Sequence, residues 1–197
     1  MSGEMHISKR AIVLSAVAVF VVAFLGVMAG TKYIEWRQIK WKEKRLAGLA
    51  TGQSSKLRAG EKIPEIPLVG LDGTPTSTRT ITDQNNSLYL FVSVSCDLCT
   101  EVTRSWFGYV DRIPPGVKVY GICQDPLEYA RAYAQKTGFP FPLYCDTSDV
   151  FGKEYYMDIY PTVIGIMAGG KIAFVQHGIR EDFTPLKAVE QLYGKKP

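Results

Sequence analysis

Cysteine and histidine are scarce in this chain, at four and two among 197 residues. Four cysteines are too few to staple a domain of this length, so the fold has to rest on an apolar core. Neither sign of charge dominates: 23 Lys and Arg against 19 Asp and Glu leave a net +4. The excess lies largely between Lys32 and Arg45, and farther along the basic residues are interleaved with acids. That distribution gives no nucleic-acid footprint and suits contact with lipid headgroups better. Internal repeats are absent. Hydrophobic residues at 46% and charged ones at 21% exclude a disordered chain.

One long apolar run is present. Ala11 to Gly30 carries no charge, and Ser15 is its only hydroxyl. At ~1.5 Å rise per residue, a helix of that length spans ~30 Å, one hydrocarbon core. A cleaved signal peptide is the competing reading, but its apolar region is usually shorter. Tyr33, Trp36 and Trp41 follow as an interfacial aromatic belt would. The expected organisation is a tail over 1–10, a transmembrane helix over 11–30, a basic juxtamembrane helix and polar linker over 31–59, and one domain over 60–197.

Within the domain, hydrophobic periodicity alternates between strand and helix. Ile63 to Leu71 precedes Asp72-Gly73, a hairpin signal. Ser87 to Ser95 is nearly all apolar and suits a strand buried on both faces. Thr100 to Ile113 has helical spacing, closed by Pro114-Pro115-Gly116. Strands are expected over 117–123, 141–145, 162–167 and 172–176, the last two joined as a tight hairpin through Ala168 to Lys171. Helices are expected over 126–137, 149–157 and 183–193. This order implies an α/β fold, a mixed central sheet with helices on both faces.

Cys96-Asp97-Leu98-Cys99 falls where the buried strand ends and a helix begins. A helix N-terminus offers unpaired N–H groups and partial positive charge, both of which stabilise a thiolate. Residues three apart share a helix face, so Cys99 can resolve a mixed disulfide formed on Cys96. Two other readings stand beside this redox pair: half of a zinc site, or two inert core cysteines. The zinc reading needs more ligands, and Cys123, Cys145 and His177 show no second metal-binding spacing. No metal and no cofactor is expected. Tyr160-Pro161-Thr162 opens the 162–167 strand, where proline is tolerated.

The CxxC after a central strand, followed by X-Pro-Thr before a hairpin and a last helix, resembles the thioredoxin superfamily. Gly60–Leu71, Val117–Gln124 and Phe139–Asp146 resemble its redoxin branch, which includes TlpA/ResA-like tethered thioredoxins and MauD-like accessory proteins. The likeness covers roughly residues 60–193. It implies a thioredoxin-like fold preceded by a single transmembrane helix, with Pro161 cis and Tyr160 offering backbone groups to an extended substrate. It also implies that Cys123 and Cys145 end parallel neighbouring strands on the CxxC face. They would then be a second disulfide or relay pair, or else small buried hydrophobes. The chain departs from the pattern at Ser95, where Trp is common, at Asp97-Leu98, where Pro is common, and at Leu90, where thioredoxin keeps a buried Asp. Asp97 as an anion disfavours the Cys96 thiolate, although it also suits the first turn of a helix.

These features lead to the expectation of a membrane-tethered thiol–disulfide oxidoreductase, with protein thiols or disulfides as substrate and lipid held through 11–30. The non-enzyme alternative is a thioredoxin-fold accessory subunit or assembly factor of a membrane protein complex. A peroxidase of the peroxiredoxin type fits less well, because Tyr89 stands where that signature has Pro, although Ser93 suits its hydroxyl position. A copper chaperone of the Sco type would use CxxxC and a late His. The resemblance implies the inner membrane with the domain on the periplasmic side. The basic residues after the span, counted literally, place the domain in the cytoplasm instead.

Overall fold

The computed structural model describes residues 55–82, 84–179 and 181–194, with scattered helical positions between 20 and 32. The chain forms two compact units, 1–52 and 53–197. In the first, the described residues Phe20, Phe24, Val27 and Met28 are helical with exposed side chains. Most of the run 11–30 and all of 33–54 lie outside the described residues. Among the described residues, no helix is long and apolar enough to cross a membrane.

The second unit is built on a seven-stranded mixed sheet. Its strands are β1 (Pro67–Gly70), β2 (Pro75–Ser77), β3 (Asn86–Val92), β4 (Val117–Cys123), β5 (Leu143–Cys145), β6 (Thr162–Ile166) and β7 (Ile172–His177). The spatial order is β2-β1-β5-β4-β3-β6-β7. Strands β3, β4 and β5 run parallel, while β1, β2, β6 and β7 are added antiparallel. The helices are α1 (Thr78–Thr82), α2 (Asp97–Phe107), α3 (Leu127–Thr137), α4 (Val150–Tyr155) and α5 (Pro185–Leu192).

The near-continuous apolar run of β3 follows from its central place, since both faces of the strand are covered. Leu88, Leu90 and Val92 join one cluster with Val102 and Trp106 of α2, Ala130 and Tyr133 of α3, and Ala188 and Leu192 of α5. Tyr89 and Phe91 point the other way, against Ile66, Ile122, Phe151, Met157 and Ile164. Phe91 and Phe151 meet edge to face at 4.8 Å between ring centroids. Trp106 is fully buried, and its indole Nε1–H donates to the Phe183 carbonyl at 2.9 Å, which ties α2 to the start of α5.

Element ends follow local chemistry. Gly138 takes a left-handed conformation (φ 64°) after α3, and the Phe139 N–H returns to the Ala134 carbonyl at 3.0 Å. Thr184 caps α5 by accepting from the Lys187 N–H, with Pro185 in the first turn. The expected helix over 100–113 instead starts at Asp97, stops at Phe107 before Gly108, and resumes as a 3-10 turn over Val110–Arg112. Glycine is a poor helix former, and here it interrupts the apolar spacing. The last residues of the expected linker are part of the domain. Leu57 is buried in the core, Lys56 N–H donates to the Tyr155 carbonyl, and Gly60 N–H donates to that of Ile172.

Gly121 sets the distance between β4 and its cover. A Cβ there would lie 2.5 Å from Leu143 Cδ1 and 2.6 Å from Phe139 Cε1. Gly121→Ala is expected to destabilise the domain by about 1–3 kcal/mol through overpacking, read as a lower urea midpoint at unchanged slope.

Candidate thiol site at the sheet edge

Strand β3 delivers its chain to α2 through Ser93, Val94 and Ser95, and Cys96 is the N-cap of that helix. The cap has extended backbone, φ −103° and ψ 102°, and its Sγ accepts the Cys99 N–H at 3.0 Å. A sulfur therefore takes the place usually held by a Ser or Asp oxygen. Cys96 and Cys99 are joined as a disulfide, with Cα atoms 5.2 Å apart. Their settings differ: Cys96 is half-buried, and Cys99 is wholly enclosed in the apolar cluster under α2. Only Cys96 offers a sulfur within reach of solvent. The Cys99 N–H and the helix N-terminus are aimed at that sulfur, a setting of the kind that favours a thiolate.

Strand register brings the other sequence candidates to the same edge. Val92 pairs with Cys123, Cys123 pairs with Cys145, and Phe91 pairs with Thr162. The Tyr160–Pro161 peptide is cis, one step beyond that last pair. The Pro161 carbonyl accepts the Ile179 N–H at 3.0 Å, and the Tyr160 hydroxyl donates to the Met157 carbonyl at 3.3 Å. Tyr160 is half-buried, and desolvation pushes its phenol above the ordinary tyrosine range.

Cys123 and Cys145 are free and buried in this structure. Burial raises both thiols, Cys145 from 9.0 to about 11, and the nearby Asp125 charge acts in the same direction. Cys123 Sγ–H donates to Asp125 Oδ2 at 3.3 Å. Asp125 carries no motif in the sequence. It looks like an ordinary residue before a helix-starting proline, and its partners come from other parts of the chain.

His177 lies at the end of β7, with Nδ1 3.1 Å from Thr162 Oγ1. The Thr162 hydroxyl donates to the Ile159 carbonyl at 2.7 Å, so the imidazole Nδ1 is the donor to it. Burial lowers the pKa of this histidine. Among the described residues, no group of three or more His, Cys, Asp or Glu side chains is gathered as a metal ion would require. Leu90 is fully buried in the cluster that also holds Cys99, so β3 presents no carboxylate under the disulfide.

The AhpC/TSA family matches residues 59–175 of the chain. Solved structures share the architecture at low identity. A peroxidoxin from Mycobacterium tuberculosis is 18% identical, with TM-score 0.59, over 72% of this chain and 99% of that one. The thioredoxin domain of a thiol-disulfide oxidoreductase from Bacteroides vulgatus is 21% identical, with TM-score 0.54, over 70% and 94%. A thiol peroxidase from Chromobacterium violaceum is 19% identical, with TM-score 0.57, over 71% and 87%. Among curated proteins, none matches the chain. Identities at this level establish a common thioredoxin-like fold.

The raised Cys145 thiol has a consequence for stability. The folded state holds its proton while the unfolded chain releases it from its ordinary pKa of 9.0, so unfolding gains from rising pH between that value and about 11. Denaturant midpoints measured across this window are expected to fall with pH, and to fall less steeply in Cys145→Ala.

Proposed function

We propose that this chain, which belongs to the AhpC/TSA family, is a thiol–disulfide oxidoreductase that exchanges disulfides with protein thiols through Cys96 and Cys99. The observation that carries this reading is the asymmetry of the pair: Cys96 is a half-buried helix N-cap whose sulfur accepts a backbone N–H, and Cys99 is sealed in the core. An incoming thiolate attacks Cys96 Sγ, the Cys96–Cys99 bond breaks, and Cys99 leaves as a thiolate that takes up a proton. A second thiol of the partner then attacks the mixed disulfide and releases Cys96. In sum, a dithiol partner becomes a disulfide and the Cys96–Cys99 pair a dithiol. The reverse sequence reduces a partner disulfide, with Cys96 as nucleophile and Cys99 as resolving thiol.

The cis Tyr160–Pro161 peptide at the same sheet edge supports a substrate-binding role for these two residues, in which a partner segment lies extended across the edge and pairs with backbone groups. A peroxidase reading meets an obstacle in Tyr89. That residue is locked in β3, fully buried, with its hydroxyl donating to the Thr78 carbonyl at 3.0 Å. The accessory-subunit reading predicts little or no redox turnover.

Exchange with a reduced protein substrate is expected to disappear in Cys96→Ser. In Cys99→Ser a mixed disulfide with the partner is expected to accumulate, visible as a reducible adduct on a gel. Undiminished exchange in both variants rejects the reading, and hydrogen peroxide consumption at enzymatic rates would replace it with the peroxidase.

The apolar run 11–30 supports a second inference, that the domain is tethered to the inner membrane and works on its periplasmic side, where disulfides persist. C-terminal alkaline phosphatase fusions are expected to be active and green fluorescent protein fusions dark. The opposite pattern places the domain in the cytoplasm, as the basic residues after the run would.

A further inference from the structure

Asp125 follows β4 by two residues and belongs to none of the roles assigned above. One oxygen of its carboxylate serves two donors. Oδ2 accepts the Val94 N–H at 2.9 Å and the Cys123 Sγ–H at 3.3 Å. The first bond holds the short connection between β3 and α2, two residues before Cys96. The second anchors the carboxylate to a buried side chain at the end of β4, in register with the last residue of β3. Leu88, Leu90 and Val92 are the β3 side chains in the apolar cluster under α2. The carboxylate that holds the turn before Cys96 therefore comes from the neighbouring strand end.

We propose that Asp125 is a positioning residue of the thiol site: its carboxylate clamps the Val94–Cys96 turn and supplies the negative charge against which the Cys96 thiol ionises. This rests on the reading of Cys96 as the reacting thiol. The bond to Val94 is a charge-assisted one to a backbone N–H, the kind that fixes a loop most firmly. The charge is felt across the same sheet edge, since Asp125 also raises the Cys145 thiol of β5 and the Tyr160 phenol before β6. The other ionisable groups around this edge are Cys123 on β4 and Tyr133 and Arg131 on α3. Asp97 lies in the first turn of α2, with Asp149 and Asp158 on the side of Tyr160. Asp146, buried directly after Cys145, accepts the Phe151 N–H, and His177 of β7 faces Thr162. Four carboxylates besides Asp125 thus share the surroundings, but Asp125 is the one among the described residues hydrogen-bonded to the turn that carries Cys96.

The test is the pH profile of iodoacetamide alkylation at Cys96 in the reduced full-length protein, read by peptide mass spectrometry. Asp125→Asn keeps an oxygen for the Val94 N–H and removes the charge. Its midpoint is expected to fall by roughly half a pH unit or more. Asp125→Glu keeps the charge and is expected to stay near the wild-type midpoint, and Asp111→Asn, on the 3-10 turn beyond α2, is expected to leave it unmoved. A wild-type midpoint in Asp125→Asn overturns the proposal, as does an equal shift in Asp111→Asn. Alkylation needs no exchange partner, so the two readings fail separately. A shifted midpoint in a protein without exchange activity rejects the oxidoreductase, and an unshifted one in an active protein rejects only the role of Asp125.

Discussion

A central, doubly buried strand has to become a helix within a few residues, and the first turn of that helix has backbone N–H groups with no partner inside it. In this chain the sulfur of Cys96 accepts one of them, from Cys99 at 3.0 Å. That single contact defines the N-terminus of α2, sets the facing of the two cysteines, and places a polarisable atom in the partial positive charge of the helix. The apolar cluster under α2 then decides which sulfur is reachable. Cys99, Val102 and Trp106 are enclosed on the buried face of the helix, and Cys96 at its tip is not.

The rest of the edge is arranged by register. Because β3, β4 and β5 are parallel and in step, their C-terminal ends deliver Val92, Cys123 and Cys145 side by side. Because β6 runs against β3, its start brings the cis Tyr160–Pro161 peptide to the same end. The four cysteine sulfurs fall into two kinds. Cys123 and Cys145 are kept protonated by desolvation and by the Asp125 charge, while the Cys96–Cys99 pair lies at a helix N-terminus that favours ionisation. A single fold edge thus carries two buried free thiols beside a disulfide pair.

Much of this was legible in the residues. β4 runs over Val117–Cys123, the range its apolar pattern predicts, and the Ala168–Lys171 hairpin forms with Gly169 and Gly170 at positive φ. The strand-to-helix setting of the CxxC was readable because a near-continuous apolar run ends directly before it. Helix α1 was not, since Thr78–Thr82 is short and rich in β-branched residues. It is held by tertiary bonds, with Thr78 Oγ1 accepting the Ile66 N–H and donating to the Pro64 carbonyl. The extent of α2 was blurred by apolar residues that continue past Gly108. Asp125 carried no sequence signal, because its meaning lies in Val94 and Cys123, which approach it only when the sheet is assembled.

The central claim is that Cys96, and not Cys99, is the sulfur through which electrons enter and leave. The most direct measurement mixes the oxidised domain with a limiting amount of glutathione, quenches early with acid, and maps the first mixed disulfide by mass spectrometry. The account predicts glutathione on Cys96 with Cys99 as the free thiol. Glutathione found first on Cys99, or on Cys123 or Cys145, would contradict it.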